Sequence, residues 1–317
     1  MSSNDSPPIA QSDETASEKT TVTVFTPPSI TAAALGSGAS YTFNSALPPV
    51  LQTDLAMPCI LGVDEAGRGP VLGPMVYAVA FVPADSVDVL EDFDDSKKLS
   101  SNTRSSLLRL LCTPGTDLHK NMGWSCTLLS ARDISAGMLS GSTGGNLNAQ
   151  AHEATIELIR SVIDRGVNIV EIFVDTVGPP QTYQAKLAKL FPGAKVTVSK
   201  KADSLYPIVS AASVCAKVTR DSAVDVLSGG EVVGSGYPGD EKTKNWLRDA
   251  VDPVFGWDPS MTRFSWKTAK DLLEEETSQV EWPDAEADGE QTITSAFAEA
   301  RETESLGNWF GRPAAEI

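Results

Sequence analysis

Runs of apolar residues divide the chain into short strands and longer helices. Continuous or alternating apolar runs predict strands at Ile60–Val63, Met75–Val82, Trp124–Leu129, Val167–Val174 and Lys195–Ser199. Helical spacing of apolar residues predicts helices at Ser101–Leu111, Ala149–Arg165, Gln181–Leu190, Ile208–Leu227, Lys242–Val251 and Trp266–Glu276. Strands that alternate with helices pair partly in parallel, so the pattern predicts an α/β fold. We expect a mixed sheet flanked by helices, with a C-terminal helical part at about 240–283.

Two terminal segments lack this periodicity. Residues 1–56 are rich in Ser, Thr, Pro and Ala and are predicted to be a disordered tail. Residues 284–317 are acidic and are also predicted to be disordered. One domain is therefore expected over 57–283. Inside it, residues 131–145 are polar and glycine-rich, and we expect an irregular connection there.

The formal net charge of −17 argues at first against a nucleic-acid partner. The two predicted tails carry much of the excess, because residues 57–283 hold 29 acids and 22 bases. This domain can therefore form a local basic patch, and some of its acids can bind a metal. It still lacks the strong positive field of a protein that binds nucleic acid alone, and partner subunits can supply the missing charge.

The histidine and cysteine counts exclude several kinds of site. His119 falls in a polar loop and His152 on a predicted helix, so a His-based triad or a His-rich zinc site is not expected. The four cysteines show no metal-binding spacing and are expected to be reduced. No apolar run reaches membrane length and no secretory segment is recognised, so no membrane partner is expected. Hydrolysis by this chain would need carboxylates and a hard cation.

Adjacent carboxylates follow the first apolar strand. Ile60–Val63 favour burial, so Asp64 and Glu65 stand where a buried strand ends. Carboxylates are rarely buried unless they are paired or bind a metal. Successive side chains on a strand point to opposite faces, so we expect Glu65 to reach a shared site from a strand end or a bulge. An acidic turn after a strand is the alternative interpretation.

The glycines after these acids do not form a dinucleotide fingerprint. That fingerprint needs Gly-x-Gly-x-x-Gly between a strand and a helix, whereas Gly67, Gly69 and Gly73 are interrupted by prolines and followed by a β-rich run. Glycines at 67 and 69 let a ligand approach the backbone closely. Arg68 between them adds a fork of donors suited to phosphate.

Two further aspartates follow later strands. Asp175 directly follows the apolar run Val167–Val174 and ends that strand. Binding and catalytic sites in parallel sheets lie at the carboxyl ends of strands. Asp175 is therefore a candidate to meet Asp64 and Glu65, although a loop or cap role is the alternative. Asp203 precedes Pro207 and the long helix, and it can simply cap that helix.

Several segments resemble type 2 ribonucleases H, most closely the fungal-like catalytic subunits of the eukaryotic heterotrimeric enzymes. The segment 63–74, with its core Asp-Glu-Ala-Gly-Arg-Gly, resembles the opening motif of that family. Phe-Val-Asp-Thr-Val-Gly at 173–178 resembles its third acidic motif, and 201–217 resembles its fourth. The resemblance also includes 253–266 and covers about 57–283 in the same motif order.

The resemblance implies a ribonuclease-H-like sheet and a two-metal endonuclease. Asp64, Glu65, Asp175 and Asp203 would be the catalytic residues and the ligands of two Mg²⁺ or Mn²⁺ ions. The substrates would be RNA–DNA hybrids and duplex DNA with single embedded ribonucleotides, cut 5′ of the ribonucleotide to leave 5′-phosphate and 3′-hydroxyl ends. The roles implied are ribonucleotide removal and replication primer processing.

The resemblance also implies substrate contacts. The candidates outside 67–69 have plain alternatives: a capping segment for Lys97, helix capping for Asn146 and Asn148, a solvated helix face for the long-helix residues, and local packing for Tyr237. The implied substrate-binding residues are Gly67, Arg68, Gly69, Lys97, Asn146, Asn148, Ser213, Lys217, Arg220 and Tyr237. Backbone at 67–69 together with Tyr237 would read the ribose at an RNA–DNA junction.

Partners follow mainly from the resemblance. Two non-catalytic subunits would complete a heterotrimer located in the nucleus, with the cytoplasm as a second compartment. The segments Ile293–Phe297 and Leu306–Phe310 look like sliding-clamp ligands, so we hypothesise clamp binding through the C-terminal tail. The rival functions are a junction-cutting or integrase-like nuclease of the same architecture and a non-catalytic hybrid-binding scaffold.

Overall fold

The computed structural model describes residues 25–93, 99–140, 146–176 and 178–277. The strands are β1 (Tyr41–Asn44), β2 (Cys59–Ala66), β3 (Met75–Pro83), β4 (Gly123–Leu129), β5 (Ile169–Asp175) and β6 (Lys195–Ser199). The helices are α1 (Ala32–Gly36), α2 (Pro49–Thr53), α3 (Ser101–Cys112), α4 (Asp117–Asn121), α5 (Ala131–Leu139), α6 (Leu147–Asp164), α7 (Pro180–Leu190), α8 (Ala202–Leu205), α9 (Pro207–Leu227), α10 (Glu241–Asp249) and α11 (Lys267–Glu276).

The strands of the described residues form one mixed sheet in the order β1-β4-β3-β2-β5-β6. β1, β4, β3 and β2 pair antiparallel in that order, and β5 and β6 then add in parallel to β2. The helical crossover α6 leads into β5, and α7 leads into β6, as parallel pairing requires. The predicted α/β fold with a mixed sheet and flanking helices is confirmed.

Helices cover both faces of the sheet. One face packs on α9 and α3, and its apolar cluster includes Ala78, Ala80 and Trp124. The other face packs on α6 and α7, and its cluster includes Leu61 and Phe81. Because both faces are covered, β3 is buried along its whole length, which explains its continuous rather than alternating apolar pattern.

The long helix α9 lies along β2 and runs in the same direction. A Cβ at Gly62 would lie 2.4 Å from the carbonyl oxygen of Ile208, so only glycine lets the helix approach the strand this closely. Five residues further along β2, a Cβ at Gly67 would lie 3.1 Å from Cγ of Arg220. Twelve residues of helix and five residues of strand both span roughly 17–18 Å. The two contacts are therefore equally far apart along the helix and along the strand.

The predicted tail 1–56 is wrong for residues 25–56. Strand β1 pairs with β4, Thr42 and Thr127 hydroxyls hydrogen-bond at 2.9 Å, and the Phe43 ring packs on Trp124. Leu51 in α2 is fully buried. The segment was missed because each of its elements has only four or five residues, which is too short to show periodicity.

The irregular connection expected at 131–145 is also wrong in its first part, which forms α5. The side chain of Ser130 caps this helix by accepting a hydrogen bond from the amide of Asp133, and Ile134 is fully buried. A capping serine and the buried residues Ala131 and Ile134 stabilise nine residues whose composition is otherwise typical of a loop.

The predicted C-terminal helical part contains α10 and α11, which share a small core with residues 71–72 and Trp257. Within the described ranges, no helix combines the length and apolar character needed to cross a bilayer. The four cysteines are free thiols. The interpretations placed on Lys97 and on the tail 284–317 lie outside the described residues.

Candidate active site

Strand register places Asp64 beside Asp175. Val63 of β2 pairs in parallel with Val174 of β5, so the next residue of each strand is an aspartate on the face that packs against α9. The prediction that Asp175 reaches the end of the strand that carries Asp64 is confirmed. The two side chains are close enough that the charge of Asp175 raises the pKa of Asp64.

Asp64 is buried, with 6 % of its surface exposed. Burial, together with repulsion from Asp175, raises the pKa of Asp64 to about 7. The Ser213 hydroxyl, the amide of Glu65 and the charge of Lys217 act in the opposite direction. Both α9 residues therefore face Asp64, which follows from the parallel course of α9 and β2. A free carboxylate at this position is costly without a cation.

Glu65 extends beyond the parallel pairing on the opposite face of β2. Its register with Tyr77 of β3 shows no bulge, whereas pairing with β5 ends at Val63. Glu65 therefore lies at a strand end with respect to β5 but not with respect to β3. The expected bulge is absent from the pairing of β2 with β3. Burial raises the pKa of Glu65 to about 8, with repulsion from Asp64, Asp175 and Asp203 and an opposing effect of Arg68.

Asp203 enters the site through a tight turn after β6. Lys201 adopts a left-handed conformation with φ of 56°, and the short helix α8 begins immediately after it. The amide of Ala202 donates to Oδ1 of Asp175 at 3.0 Å, which ties this turn to the end of β5. Asp203 is 4 % exposed and lies within α8. The alternative that it caps α9 is wrong, because Tyr206 holds the cap position without a side-chain bond.

The four acids offer the oxygen donors that hard divalent cations prefer. Their mutual repulsion in a buried setting is the environment that a bound cation relieves. In the part of the chain that the structure describes, no group of three or more His, Cys, Asp or Glu side chains is arranged to hold a metal ion as it stands. Asp64 and Asp175 instead accept backbone hydrogen bonds. The donor chemistry of the four acids fits a hard divalent cation.

Residues 67–74, here called the GRG loop, connect β2 to β3. Gly67 has φ of 78°, and a Cβ there would lie 2.8 Å from the Pro74 carbonyl oxygen. The loop is therefore closed on itself in a conformation that requires glycine. Its carbonyl oxygens accept hydrogen bonds from Arg263 and Trp266, which lie almost two hundred residues away in the chain.

A second loop, residues 234–240, packs against the GRG loop and carries Tyr237. The amide of Val71 donates to the carbonyl oxygen of Gly236 at 2.8 Å. The Tyr237 ring, half exposed, lies against Gly69, where a Cβ would be 3.1 Å from the ring. Arg220 of α9 donates to the Ser235 carbonyl at 3.0 Å and borders Gly67. The structure thus brings Gly67, Gly69, Arg220 and Tyr237 together.

Arg68 points to the side of the loop where Glu65 lies. Its guanidinium donates to the Tyr77 hydroxyl at 3.4 Å and to Oδ1 of Asn148. Asn148 lies in the first turn of α6, and Asn146 caps that helix by accepting from the amide of Ala149. The capping alternative is confirmed for Asn146, while Asn148 joins the site through Arg68.

Sequence reasoning missed four residues around this site. Burial raises the pKa of Tyr77 and Tyr183, and the charge of nearby Glu65 adds to the effect in both. Arg263 and Trp266 hold the GRG loop from outside the motif that contains it. Tyr77 lies on the same face of an apolar strand as Met75, so the sequence identified it only as a strand residue. For Arg263 the sole signal was its place in a segment that resembles the family.

Comparison with known proteins identifies the family of this chain. The family model described as Ribonuclease HII matches residues 61–269, which include all four acids, the GRG loop and Arg263. This chain belongs to the ribonuclease HII family. It is 51% identical to the A subunit of ribonuclease H2 from Neurospora crassa over 92% of this chain and 95% of that protein. It is 47% identical to the corresponding A subunit from Homo sapiens over 80% of this chain and 86% of that protein.

Solved structures of the family share this fold. The ribonuclease H2 of Pyrococcus horikoshii aligns with a TM-score of 0.55 and 31% identity, over 68% of this chain and 98% of that one. The RNase HII of Archaeoglobus fulgidus, solved as a complex with PCNA, aligns with a TM-score of 0.55 and 29% identity, over 67% and 96%. Bst-RNase HIII, solved with Mn²⁺, has 17% identity and a TM-score of 0.55, over 73% and 74%. The ribonuclease-H-like architecture is therefore confirmed.

Proposed function

We propose that this chain is the catalytic subunit of a ribonuclease H, an endonuclease that hydrolyses RNA in RNA–DNA hybrids. The observation that carries the proposal is the convergence of Asp64 and Asp175 at neighbouring parallel strand ends, with Asp203 tied to them through α8. Membership of the ribonuclease HII family supports assigning nuclease chemistry to this constellation.

The four acids would hold Mg²⁺ or Mn²⁺, in two sites. Bound metal would supply an activated water and stabilise charge on the departing 3′-oxygen. The neighbouring residues support this use of the acids. Ser213 and Lys217 favour the ionised form of Asp64, and Arg68 favours the ionised form of Glu65. These contacts lower the cost of presenting carboxylates in a buried site.

The surface beside the acids fits a phosphate backbone and a sugar. Arg68 and the largely buried Arg220 supply guanidinium groups, and the half-exposed Tyr237 ring lies against Gly69. An aromatic side chain stacked on a base or sugar contributes about 1–3 kcal/mol. We infer that the GRG loop reads the ribose 2′-hydroxyl while Tyr237 stacks on the adjacent deoxyribose. The enzyme would then also cut 5′ of single ribonucleotides in duplex DNA, leaving 5′-phosphate and 3′-hydroxyl ends.

The partners and location belong to the same proposal. Relatives that are themselves named as one lettered subunit of ribonuclease H2 support a multi-subunit enzyme, and two non-catalytic subunits would complete a heterotrimer. Such subunits would supply the positive charge that this acidic chain lacks. An archaeal relative solved with PCNA supports clamp association, for which we propose the tail 284–317. Ribonucleotide removal and primer processing would place the enzyme in the nucleus, with the cytoplasm as a second compartment.

The deciding experiment uses a DNA duplex with one embedded ribonucleotide and a matched all-DNA duplex. We expect Mg²⁺-dependent cleavage 5′ of the ribonucleotide, by the chain purified with its copurifying partners, and no cleavage of all-DNA. Equal cleavage of both duplexes would favour a different nuclease of the same architecture. Binding without turnover at any Mg²⁺ or Mn²⁺ concentration would favour a non-catalytic scaffold.

A further inference from the structure

Arg263 is a fully buried cation whose side chain serves the GRG loop. Its Nε donates to the carbonyl oxygen of Gly73 at 3.0 Å, Nη1 to that of Arg68 at 3.1 Å, and Nη2 to that of Gly67 at 2.6 Å. Its backbone amide also donates to the Val71 carbonyl at 2.9 Å. One residue therefore fixes both ends and the middle of the loop.

Trp266 completes this contact from the next turn of chain. Its indole Nε1 donates to the Gly69 carbonyl at 3.0 Å, and its ring lies 4.8 Å from the Arg263 guanidinium carbon. Burial and the nearby charge of Arg220 lower the pKa of Arg263 to about 9. The guanidinium thus stays charged at neutral pH, and hydrogen bonds from a charged donor are stronger than those from a neutral one.

The direction of these bonds determines the direction of the amides. In a planar trans peptide, the carbonyl of one residue and the N–H of the next point in opposite directions. The carbonyls of Gly67 and Arg68 point towards Arg263. The N–H groups of Arg68 and Gly69 therefore point away from it. Tyr237 borders the same stretch of loop at Gly69.

We propose that Arg263 and Trp266 are positioning residues for ribonucleotide recognition: by holding the GRG-loop carbonyls from behind, they turn the Arg68 and Gly69 amides towards the substrate sugar. The inference rests on the proposed function, since it assigns the origin of the ribose selectivity. A buried guanidinium has the planar fork needed to reach three separate carbonyls, whereas a lysine ammonium is a single point of donation. Selectivity therefore depends on residues that do not touch the substrate.

The test measures the ratio of two affinities. Fluorescence anisotropy gives the dissociation constants for a duplex with one ribonucleotide and for the all-DNA duplex, with Ca²⁺ replacing Mg²⁺ and intact substrate verified on gels. The variants are Arg263→Lys and Trp266→Phe in the full chain with its partners. Trp257→Phe is the matched control, because its ring shares a small core with residues 71–72 while its indole donates a similar bond at 2.8 Å to the Leu247 carbonyl rather than to a loop carbonyl.

The loss of a hydrogen bond that reads the sugar corresponds to a change of roughly two- to tenfold in affinity. We expect the ratio to fall about tenfold in Arg263→Lys and about threefold in Trp266→Phe, and to stay unchanged in Trp257→Phe. A general loss of folded protein weakens both affinities equally and leaves the ratio unchanged. A wild-type ratio in folded Trp266→Phe overturns the inference even if Arg263→Lys does not fold. No selectivity in the wild type would instead overturn the proposed function.

Discussion

The acidic side and the loop side of the site are built in opposite ways. On the acidic side, Asp64 and Glu65 are buried among like charges that raise the pKa of each. On the loop side, the GRG loop has its carbonyls bonded to Arg263 and Trp266 before any ligand arrives. The first arrangement is costly until a cation binds, and the second is already in place.

This difference suggests a division of labour. A rigid loop binds its ligand with little loss of conformational entropy, because its conformation is fixed in advance. Carboxylates that repel one another bind cations strongly because the ions remove that repulsion. Recognition of the sugar would then depend on the loop, while turnover would depend on the acids and their ions. Variants on the two sides should therefore fail in different ways.

The largest effect is expected from Asp175→Asn. The new side chain keeps an oxygen for the amide of Ala202, so α8 should stay in place. The charge that would hold metal is lost, and we expect the turnover number on the single-ribonucleotide duplex to fall roughly a thousandfold or more, equivalent to about 4 kcal/mol. Steady-state cleavage assays measure this. Affinity for the duplex should change little.

Asp133→Asn is the matched control for that variant. Asp133 also accepts a hydrogen bond from a backbone amide, that of Ser40 at 2.7 Å, but it lies at the start of α5 and is not one of the four acids. Its turnover number should match the wild type. Unimpaired cleavage by Asp175→Asn would remove the metal role of Asp175.

An intermediate effect is expected on the loop side, where two glycines differ in what surrounds them. Alanine at Gly67 meets a positive φ and the Pro74 carbonyl at 2.8 Å, so backbone must move. Alanine at Gly69 meets only the Tyr237 ring at 3.1 Å, and a side chain can shift. We expect kcat/KM on the single-ribonucleotide duplex to fall about 100-fold for Gly67→Ala and about tenfold for Gly69→Ala.

Gly193→Ala provides the control for both, because a Cβ there has open space around it. It should retain wild-type kcat/KM. If Gly67→Ala and Gly69→Ala were equally active, the backbone of the loop would not be the rigid element that the contrast requires.

The last prediction concerns stability without metal rather than activity. Burial raises the pKa of Asp64 to about 7 in the folded protein, whereas in the unfolded chain it keeps a value of about 4. Between these two values the unfolded state releases its proton first, so stability falls as pH rises, and the cost is complete above pH 7. Asn cannot ionise. Asp64→Asn should therefore be more stable than the wild type at pH 8 by a few kcal/mol, at about 1.4 kcal/mol per pKa unit.

Thermal unfolding in EDTA at pH 4 and pH 8 measures this difference. The gap between Asp64→Asn and wild type should be small at pH 4 and grow towards pH 8, and Mg²⁺ should narrow it by stabilising the wild type. Asp117→Asn, an exposed position on α4, should show no such trend. A difference in stability that does not change with pH would show that the pKa of Asp64 is the same in the folded and unfolded protein.

Strand ends were the predictable part of the site. The apolar runs before Asp64 and Asp175 show in the sequence where each strand stops, and parallel pairing then brings the two residues together. The resemblance added Asp203, whose position depends on a left-handed turn at Lys201 that no local pattern indicates. The alternative that Asp203 caps α9 failed because α8 intervenes.

Contacts between distant segments were not predictable. Arg263 donates to Gly67 across 196 residues, and a lone arginine in a loop-like segment does not indicate burial. Tyr183 reaches the vicinity of Glu65 from α7, a helix with no chemical signature. Short elements such as β1 escaped for a different reason, since four residues that pair only with β4 carry too little periodicity to be recognised.

The parallel course of β2 and α9 restricts how this enzyme can change length. One residue inserted into α9 after Val209 would rotate everything beyond it by about 100°, turning Arg220 away from Gly67. One residue inserted into β2 after Gly62 would send Asp64 to the opposite face of the sheet. Single-residue insertions and deletions in these two segments are therefore excluded, whereas the exposed connection at 229–232 after α9 can vary in length.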